Sequence, residues 1–173
     1  GTRKLHSWSE LNRDGTVIEL SSGMGNGGVA LDKATGARVT LTDMDTSRLE
    51  MASKIAREQG VDSELIEIMQ LNMRHVGEEL EQHHYDTGII EASLSHYPTK
   101  EKRAIVEGLS KHADELLLHE ICFRCDDTSP KELNHIKQGM SRALAIGFQP
   151  LTVDGWTNVL QEAGYEVKRS ETG

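Results

Sequence analysis

The sequence of 173 residues is short of cysteine, of positive charge and of long apolar runs. Its two cysteines cannot form a disulfide framework, so a reducing, cytoplasmic setting is expected. No apolar run approaches the ~20 residues that a helix needs to cross a bilayer, so no membrane span is expected. The 19 Lys and Arg residues are outnumbered by 28 Asp and Glu residues, giving a net charge of −9. This balance argues against nucleic acid or an anionic membrane surface as the main partner.

The chain does have the length and composition of an ordinary globular domain. Hydrophobic residues make up 36% and charged residues 27% of the sequence. There is no internal repeat, low-complexity linker or evident boundary. We therefore expect residues 1–173 to form one domain with a sizeable core.

Short β-branched apolar segments alternate with helical patterns along the chain. The predicted strands are residues 16–20, 38–42, 64–71, 87–92, 115–123 and 165–169. The predicted helices are residues 26–35, 47–60, 100–112, 130–146 and 152–163, with 77–83 as a polar helix or loop. This order predicts an α/β fold, a doubly wound and mostly parallel sheet with helices on both faces. The leucine-rich segment 115–123 is expected to be a central strand.

The most informative segment is a loop of small residues between the first predicted strand and helix. Glu19 lies in the strand, and Gly23 and Gly25 follow it in the loop. Asp43 lies eighteen residues past Gly25, at the end of the next apolar run. In a βαβ unit the glycines let the backbone approach a ligand, and the carboxylate accepts hydrogen bonds from a ribose diol. The pattern therefore predicts a site for a nucleoside-containing cofactor.

Five landmarks, in this order, resemble those of class I S-adenosylmethionine-dependent methyltransferases. They are the strand and glycine loop 17–25, the acidic segment 42–45, the strand end 71–73, the strand Tyr-Asp-Thr-Gly-Ile-Ile at 85–90, and the helix and strand at 156–167. The resemblance extends from about residue 16 to residue 167. It implies a Rossmann-like methyltransferase fold, S-adenosylmethionine as the cofactor, and methyl transfer to an acceptor. We expect this acceptor to be a small molecule.

The resemblance also implies which residues contact the cofactor, all at the ends of predicted strands. Asp43 would bind the ribose hydroxyls, with Asp45 as the fallback for this role or as a helix cap. Glu19 would lie near the methionine amino group, and Asn72 near the adenine amino group. The full set is Glu19, Ser21, Gly23, Gly25, Asp43, Met44, Asn72, Met73 and Glu91. For the two methionines, adenine contact and plain core packing are about equally expected.

The chain departs from the family pattern at several places. Ser21 replaces a usual glycine and fits if its φ is negative. Asn72 stands where an aspartate is usual, and its carbonyl oxygen can still accept a hydrogen bond. The segment before the first strand and the segment after the last are short, so the fold is expected to be trimmed at an N-terminal lid and a C-terminal hairpin. A homo-oligomeric partner, or a segment outside the given sequence, would then cover the pocket.

Two other functional classes remain open. The departures are compatible with a methyltransferase-like domain that has weak or lost catalysis and acts as a binding or assembly module. A nicotinamide-dependent oxidoreductase is disfavoured because the spacing of Gly23, Gly25 and Gly28 only loosely fits a pyrophosphate loop.

The candidates for acid–base chemistry are Glu91, His96 and His119, near the ends of the fourth and fifth predicted strands. Each is a candidate general base if the acceptor needs deprotonation. The alternative for each histidine is a surface or packed side chain. Cys122 and Cys125 form a single C-x-x-C pair. A structural zinc usually needs four ligands, so no metal is predicted.

Overall fold

A five-stranded parallel sheet forms the centre of the protein. The structure is a computed structural model that describes residues 2–123, 129–144 and 147–172. The strands are β1 Thr16–Leu20, β2 Arg38–Asp43, β3 Ile66–Gln70, β4 Tyr85–Glu91 and β5 Ala113–His119. Their order is β3-β2-β1-β4-β5, with every neighbouring pair parallel. The reversal of strand order on the two sides of β1 creates a crevice at the carboxyl ends of β1 and β4.

Helices cover both faces of the sheet, so the predicted fold class is confirmed. They are α1 Thr2–His6, α2 Asn26–Thr35, α3 Thr46–Glu58, α4 Val76–Glu79, α5 Thr99–Ser110, α6 Pro130–Leu144 and α7 Val153–Glu162. Side chains alternate across each strand. Val17 therefore joins the core on the α2 and α3 side, and Ile18 joins the core that contains Ile105 and Trp156. None of the described helices has the length and apolar character to span a membrane.

Several helix boundaries follow the local signals in the sequence. The Asp45 side chain accepts a hydrogen bond of 2.9 Å from the Ser47 amide and caps α3. The hydroxyl of Thr152 accepts one of 3.0 Å from the Gly155 amide and caps α7. Gly36 ends α2 in the left-handed conformation, with φ of 75°. The Asp45 cap agrees with the helix-cap alternative given for that residue, and Gly36 and Thr152 lie at the predicted boundaries of their helices. Ser47, at which the sequence predicts the start of α3, is the second residue of this helix.

The prediction of a central fifth strand is wrong. β1 is central, and β5 is an edge strand with partly exposed Leu116 and Leu118. The predicted segment also contains two strands, because the chain leaves the sheet after His119. Residues Cys122–Phe123 form β6, which pairs in parallel with β7, Leu151–Thr152. The break occurs where the carboxylate of Glu120 turns towards the loop that follows β4.

The predicted last strand at 165–169 is also wrong, because side chains take the place of a backbone ladder there. The Tyr165 hydroxyl donates a hydrogen bond of 3.0 Å to the carbonyl of Ala113. The Lys168 ammonium lies 3.9 Å from the carboxylate of Glu115. This segment therefore runs beside β5 without extending the sheet. The sequence also predicts a turn at residues 126–130, most of which lies outside the described residues. Cys125 and the helix end predicted at Ile146 lie outside them too.

Candidate cofactor and active site

The predicted site residues lie along one edge of the sheet. Asp43 ends β2, Glu91 ends β4 and His119 ends β5, while Ser21 directly follows β1. In parallel α/β sheets ligands bind beyond the carboxyl ends of the strands, at the point where the strand order reverses. The fold therefore brings these four positions to the edge where a ligand is expected.

The loop after β1 turns through left-handed backbone conformations. Ser21 and Gly23 both have φ of 56°, and Gly25 has φ of 72°. The condition under which serine would fit this position, a negative φ, is therefore not met. The amide of Ser22 still donates a 2.7 Å hydrogen bond to the carbonyl of Thr42, so the chain must turn sharply beside β2 to enter α2. Such a conformation costs a residue other than glycine about 1–2 kcal/mol.

Gly25 is required by close packing as well as by its backbone. A Cβ atom on Gly25 would lie 2.6 Å from Cδ1 of Leu41 and 2.9 Å from Cβ of Ala52. A Cβ atom on Gly23, in contrast, would meet no described heavy atom within 4 Å. Gly23 therefore borders open space, while its amide faces Asp43 at the end of β2.

Asp43 ties the loop to the end of β2. Its Oδ2 atom accepts a 3.0 Å hydrogen bond from the Gly23 amide, and its Oδ1 atom accepts one of 2.9 Å from the Asp45 amide. The guanidinium of Arg48 lies 3.9 Å from Oδ2. Each carboxylate oxygen has two acceptor positions. Asp43 is thus held in place by backbone amides and retains acceptor capacity for two ligand hydroxyls.

Glu19 is a buried carboxyl group beneath the start of α2. Its Oε2 atom accepts a 2.8 Å hydrogen bond from the Gly28 amide. Burial raises the pKa of Glu19 to about 7; the Gly28 amide lowers it and the charge of Glu91 raises it. A Cβ atom on Gly27 or Gly28 would lie 2.8 Å from a carboxyl oxygen of Glu19. The two glycines therefore let the helix lie directly on this carboxyl group.

Glu91 is surrounded by hydrogen-bond donors. Its Oε2 atom accepts a hydrogen bond of 2.7 Å from the Thr2 hydroxyl and lies 3.1 Å from Nδ1 of His119. Nε2 of His6 lies 3.5 Å from Oε1, a charge contact longer than a good hydrogen bond. Burial raises the pKa of Glu91, but these three neighbours outweigh burial and hold it at about 2. The carboxylate is therefore ionised at neutral pH.

The structure separates the two candidate histidines. The half-exposed His119 contacts Glu91, whereas Nδ1 of His96 lies 3.1 Å from the carbonyl oxygen of Gly147. If Nδ1 of His119 carries the proton, it donates to Glu91 and leaves Nε2 as a proton acceptor. His119 and Glu91 thus have the arrangement of a base and its orienting carboxylate.

The remaining predicted cofactor residues occupy different environments. Met44 is 57% exposed at the end of β2, whereas Met73 is only 4% exposed and belongs to the core. The Oδ1 atom of Asn72 accepts a 3.1 Å hydrogen bond from the Arg74 amide and caps the 3₁₀ turn at Met73–His75. Their contacts with a cofactor stay a prediction, and for Met73 the burial agrees with the core-packing alternative.

The sequence analysis did not identify several residues that the structure places near the site. Thr2 and His6 lie four residues apart, hence on one face of α1, but no local pattern links them to Glu91. Through these two contacts α1 lies against Glu91 at the end of β4. Lys102 carried a usable signal, because its spacing places it on the inner face of α5 with Ile105 and Leu109.

An acidic cleft of about 320 Å³ lies at the opposite, amino-terminal edge of the sheet. Glu10, Asp14, Asp86 and Glu115 contribute to its lining. Asp86 is already engaged by the amide and hydroxyl of Thr16, at 2.7 and 2.8 Å. The cleft is distant from the carboxyl ends of the strands, where the predicted site residues lie. The described residues contain no cluster of three or more side chains suited to a metal ion.

Comparison with known proteins identifies relatives of this fold and sequence. An uncharacterized protein of Haemophilus influenzae is 28% identical over 172 residues, which are 95% of this chain and 65% of that protein. The chain therefore spans just under two thirds of that relative. Magnesium protoporphyrin IX methyltransferase from Synechocystis, solved with bound S-adenosylhomocysteine, has a TM-score of 0.73 at 20% identity, covering 97% of this chain and 73% of that one.

A second similar structure is geranyl diphosphate C-methyltransferase from Streptomyces coelicolor. It was solved with Mg²⁺, geranyl diphosphate and S-adenosylhomocysteine, and has a TM-score of 0.73 at 11% identity, covering 94% of this chain and 59% of that one. Both structures contain S-adenosylhomocysteine, which is S-adenosylmethionine without its transferable methyl group. This agrees with S-adenosylmethionine as the predicted cofactor. The predicted methyltransferase fold is confirmed. A family model described as lysine methyltransferase matches residues 4–117, well over half of the sequence. The chain therefore belongs to the lysine methyltransferase family.

Proposed function

We propose that this protein transfers the methyl group of S-adenosylmethionine to a small-molecule acceptor. The observation that carries the proposal is the joint position of two groups at one sheet edge. The first is the left-handed loop with Asp43 fixed against it, and the second is the Glu91–His119 pair. The first group suits a nucleoside and the second suits the removal of a proton from an acceptor.

The residues around the loop fit the cofactor. Asp43 has acceptor capacity left after its two backbone hydrogen bonds, which suits the ribose hydroxyls. The Ser22 hydroxyl is buried and has no hydrogen-bond partner among the described residues. A buried hydroxyl without a partner is costly, so a polar ligand group at this loop would satisfy it. Glu19, Ser21, Gly23 and Gly25 complete the proposed binding surface, with Met44 and Asn72 on the adenine side.

The chemistry divides between the cofactor and the chain. When bound, S-adenosylmethionine would supply a sulfonium whose methyl carbon is already electrophilic and whose sulfur keeps the electron pair of the broken sulfur–methyl bond, leaving as the neutral thioether of S-adenosylhomocysteine. The chain then needs to orient the acceptor, exclude water and accept a proton. In our proposal Glu91 orients the His119 imidazole through Nδ1, and Nε2 accepts the acceptor's proton as the new bond to carbon forms.

A lysine side chain of a protein is the second candidate acceptor, because the matching family model is described as lysine methyltransferase. A lysine ammonium must lose a proton before its nitrogen can attack carbon, and His119 would serve this acceptor too. The acidic balance of the chain, with 28 Asp and Glu against 19 Lys and Arg, favours a cationic acceptor of either size.

Calorimetric titration tests the cofactor half of the proposal. S-adenosylmethionine and S-adenosylhomocysteine are expected to bind in the micromolar range, and Asp43→Ala is expected to weaken binding at least tenfold. Asp45→Ala is the matched control, because this exposed carboxylate caps α3 two residues away. Absence of binding to a folded protein would favour the binding or assembly module, and tighter binding of NAD would favour the oxidoreductase.

A labelled-methyl assay tests the acceptor half. The protein is incubated with methyl-labelled S-adenosylmethionine and a cell extract, which is then separated into small molecules and proteins. Label in the small-molecule fraction supports the proposal, and label in protein as methyl-lysine supports the second candidate. His119→Gln is expected to lower transfer at least tenfold while the affinity for S-adenosylhomocysteine stays within about threefold. Unchanged transfer would contradict the assigned base.

A further inference from the structure

The loop that follows Glu91 is held by two charged side chains to which the proposed chemistry assigns no role. Residues 92–97, the 92–97 loop, leave β4 through Ala92, which has φ of 51°. The Ala92 amide donates a 2.8 Å hydrogen bond to the carbonyl of His119. A left-handed conformation at a residue other than glycine persists only when its surroundings hold it in place. The contacts of Glu120 and Lys102 supply that hold.

Glu120 holds the first half of the loop. Its Oε1 atom accepts hydrogen bonds of 2.8 and 2.6 Å from the amides of Ser93 and Leu94. Its Oε2 atom accepts a hydrogen bond of 3.2 Å from the Ser95 amide and one of 2.6 Å from the Ser95 hydroxyl. Three consecutive amides thus converge on one carboxylate, as in a backbone anion nest. Hydrogen bonds to a charged acceptor are stronger than neutral ones, so this contact is well suited to fix the loop.

Lys102 holds the second half of the loop. This side chain on α5 is fully buried, and its ammonium donates to the carbonyls of Tyr97 and Gln149, the latter at 2.6 Å. The ammonium also lies 5.5 Å from the centre of the Trp156 ring. A buried lysine is costly without such partners. The neighbouring inward positions of α5 are apolar, so the cation stands where an apolar side chain would pack.

A second segment, residues 147–150, completes the arrangement. The Gln149 amide donates a 2.7 Å hydrogen bond to the carbonyl of Ser95, and Nδ1 of His96 lies 3.1 Å from the carbonyl of Gly147. Lys102 binds a carbonyl of each segment, so its ammonium joins them. Without the Lys102 ammonium, no single donor would link the Tyr97 carbonyl to the Gln149 carbonyl.

We propose that Glu120 and Lys102 are positioning residues, which hold the 92–97 loop against residues 147–150 and thereby set the spacing of Glu91 and His119. Each of these two site residues is adjacent in sequence to the contact: Glu91 precedes Ala92, and His119 precedes Glu120. The hydrogen bonds of Glu120 therefore join the ends of β4 and β5 where the 3.1 Å contact between Glu91 and His119 is made. The same loop would form the wall on the acceptor side, a role that rests on the proposed function.

Amide hydrogen exchange tests the proposal without any assay of activity. In Glu120→Gln, exchange at the Ser93, Leu94 and Ser95 amides is expected to rise at least tenfold. In Lys102→Met, the same rise is expected at the Tyr97 and Gln149 amides, which hydrogen-bond within and to the loop. Exchange in the central strand β1 is expected to stay within about twofold. The matched controls are Glu107→Gln and Lys100→Met, exposed positions on α5. A uniform rise across the sheet, or no rise in the loop, would overturn the proposal.

The environment of His119 provides the readout that a merely structural role would not change. Its imidazole signals, followed by NMR against pH, are expected to shift in Glu120→Gln in the same direction as in Glu91→Gln. Ser95→Ala removes only the hydroxyl contact with Glu120 and keeps the test open if Glu120→Gln fails to fold. Unaltered His119 signals in a folded Glu120→Gln or Ser95→Ala protein would show that Glu120 does not position the pair.

Fluorescence of Trp156 reports on Lys102 directly. Burial lowers the pKa of Lys102 to about 8, while Glu120 raises it and Lys137 lowers it. In a Trp8→Phe background the Trp156 signal is expected to titrate near this pH, and the titration is expected to be absent from Lys102→Met. Its persistence in that variant would contradict the assigned contact.

The same variants separate the positioning role from the cofactor site. S-adenosylhomocysteine is expected to bind Glu120→Gln within about threefold of the parent, since the glycine loop and Asp43 do not touch the 92–97 loop in the hydrogen bonds described. Methyl transfer is expected to fall at least tenfold. If the parent protein fails to bind the cofactor, the proposed function fails, and hydrogen exchange and the His119 signals still decide whether Glu120 and Lys102 hold the loop.

Discussion

Replacing Glu19 by glutamine is expected to stabilise the protein more at pH 8 than at pH 5. Glutamine keeps the shape of the side chain and an oxygen that can accept the hydrogen bond from the Gly28 amide. It removes the charge that burial disfavours. The parent carboxyl group is neutral in both folded and unfolded states well below pH 4.5 and ionised in both well above pH 7. Between these limits the folded state binds more protons, so the stability contributed by Glu19 falls as pH rises.

The size of the effect follows from the pKa change. A rise from 4.5 to about 7 corresponds to about 3 kcal/mol when fully expressed, at about 1.4 kcal/mol for each pKa unit. With pKa values of 4.5 and about 7, the linkage relation predicts that the stability contributed by Glu19 decreases by about 2.5 kcal/mol from pH 5 to pH 8. Glu19 is only 5% exposed, so solvent screening reduces this free-energy difference little.

Urea unfolding of both proteins at pH 5 and pH 8 measures the effect. The quantity compared is the difference in unfolding free energy between Glu19→Gln and the parent, because histidine titration is common to both. Glu58→Gln, an exposed position on α3, is the matched control and is expected to change little with pH. A variant-minus-parent difference that is the same at both pH values would refute the reasoning about Glu19.

Two further predictions concern the loop after β1 and the start of α2. Ser21→Gly is expected to raise the free energy of unfolding by about 0.5–1 kcal/mol, because glycine adopts a φ of 56° without strain at some cost in unfolded-state entropy. Gly28→Ala is expected to lower it by about 1–3 kcal/mol, since the new Cβ would overlap Leu41 and lie 2.8 Å from Oε2 of Glu19. Urea unfolding at pH 7 measures both.

Neighbouring or open positions supply the controls for these substitutions. Ser22 is absent from the residues with positive φ, so Ser22→Gly is expected to destabilise. A Cβ atom on Gly139, within α6, would meet no described heavy atom within 4 Å, so Gly139→Ala is expected to stabilise by up to about 1 kcal/mol. Stabilisation by both serine replacements, or loss of stability from both alanine replacements, would contradict the backbone and packing arguments.

The glycine loop and Asp43 were predictable because their signals are local. The strand, the loop and the acidic residue after the next strand lie within one βαβ unit, whose geometry is set by short-range backbone preferences. The caps at Asp45 and Thr152 depend on two or three residues and were predictable for the same reason. Local sequence thus specified the cofactor side of the candidate site.

Strand order and the loop after Glu91 depend on long-range contacts. A leucine-rich segment predicts burial, but nothing local distinguishes a central strand from β5 at the edge. Glu120 contacts amides 25 to 27 residues earlier in the chain, across the helix α5. The rejected strand at 165–169 has the composition of a strand, yet the Tyr165 hydroxyl binds the edge of the sheet in place of a backbone ladder.

The two ends of the described chain lie side by side. Lys4 on α1 forms an ion pair with Glu171, and the guanidinium of Arg169 lies 4.4 Å from the centre of the Trp8 ring. Thr2, on the same helix, donates to Glu91. A purification tag or fusion partner placed at either end would therefore emerge beside the catalytic candidates. The same proximity makes the ends suitable for joining by a short linker in a circular permutant.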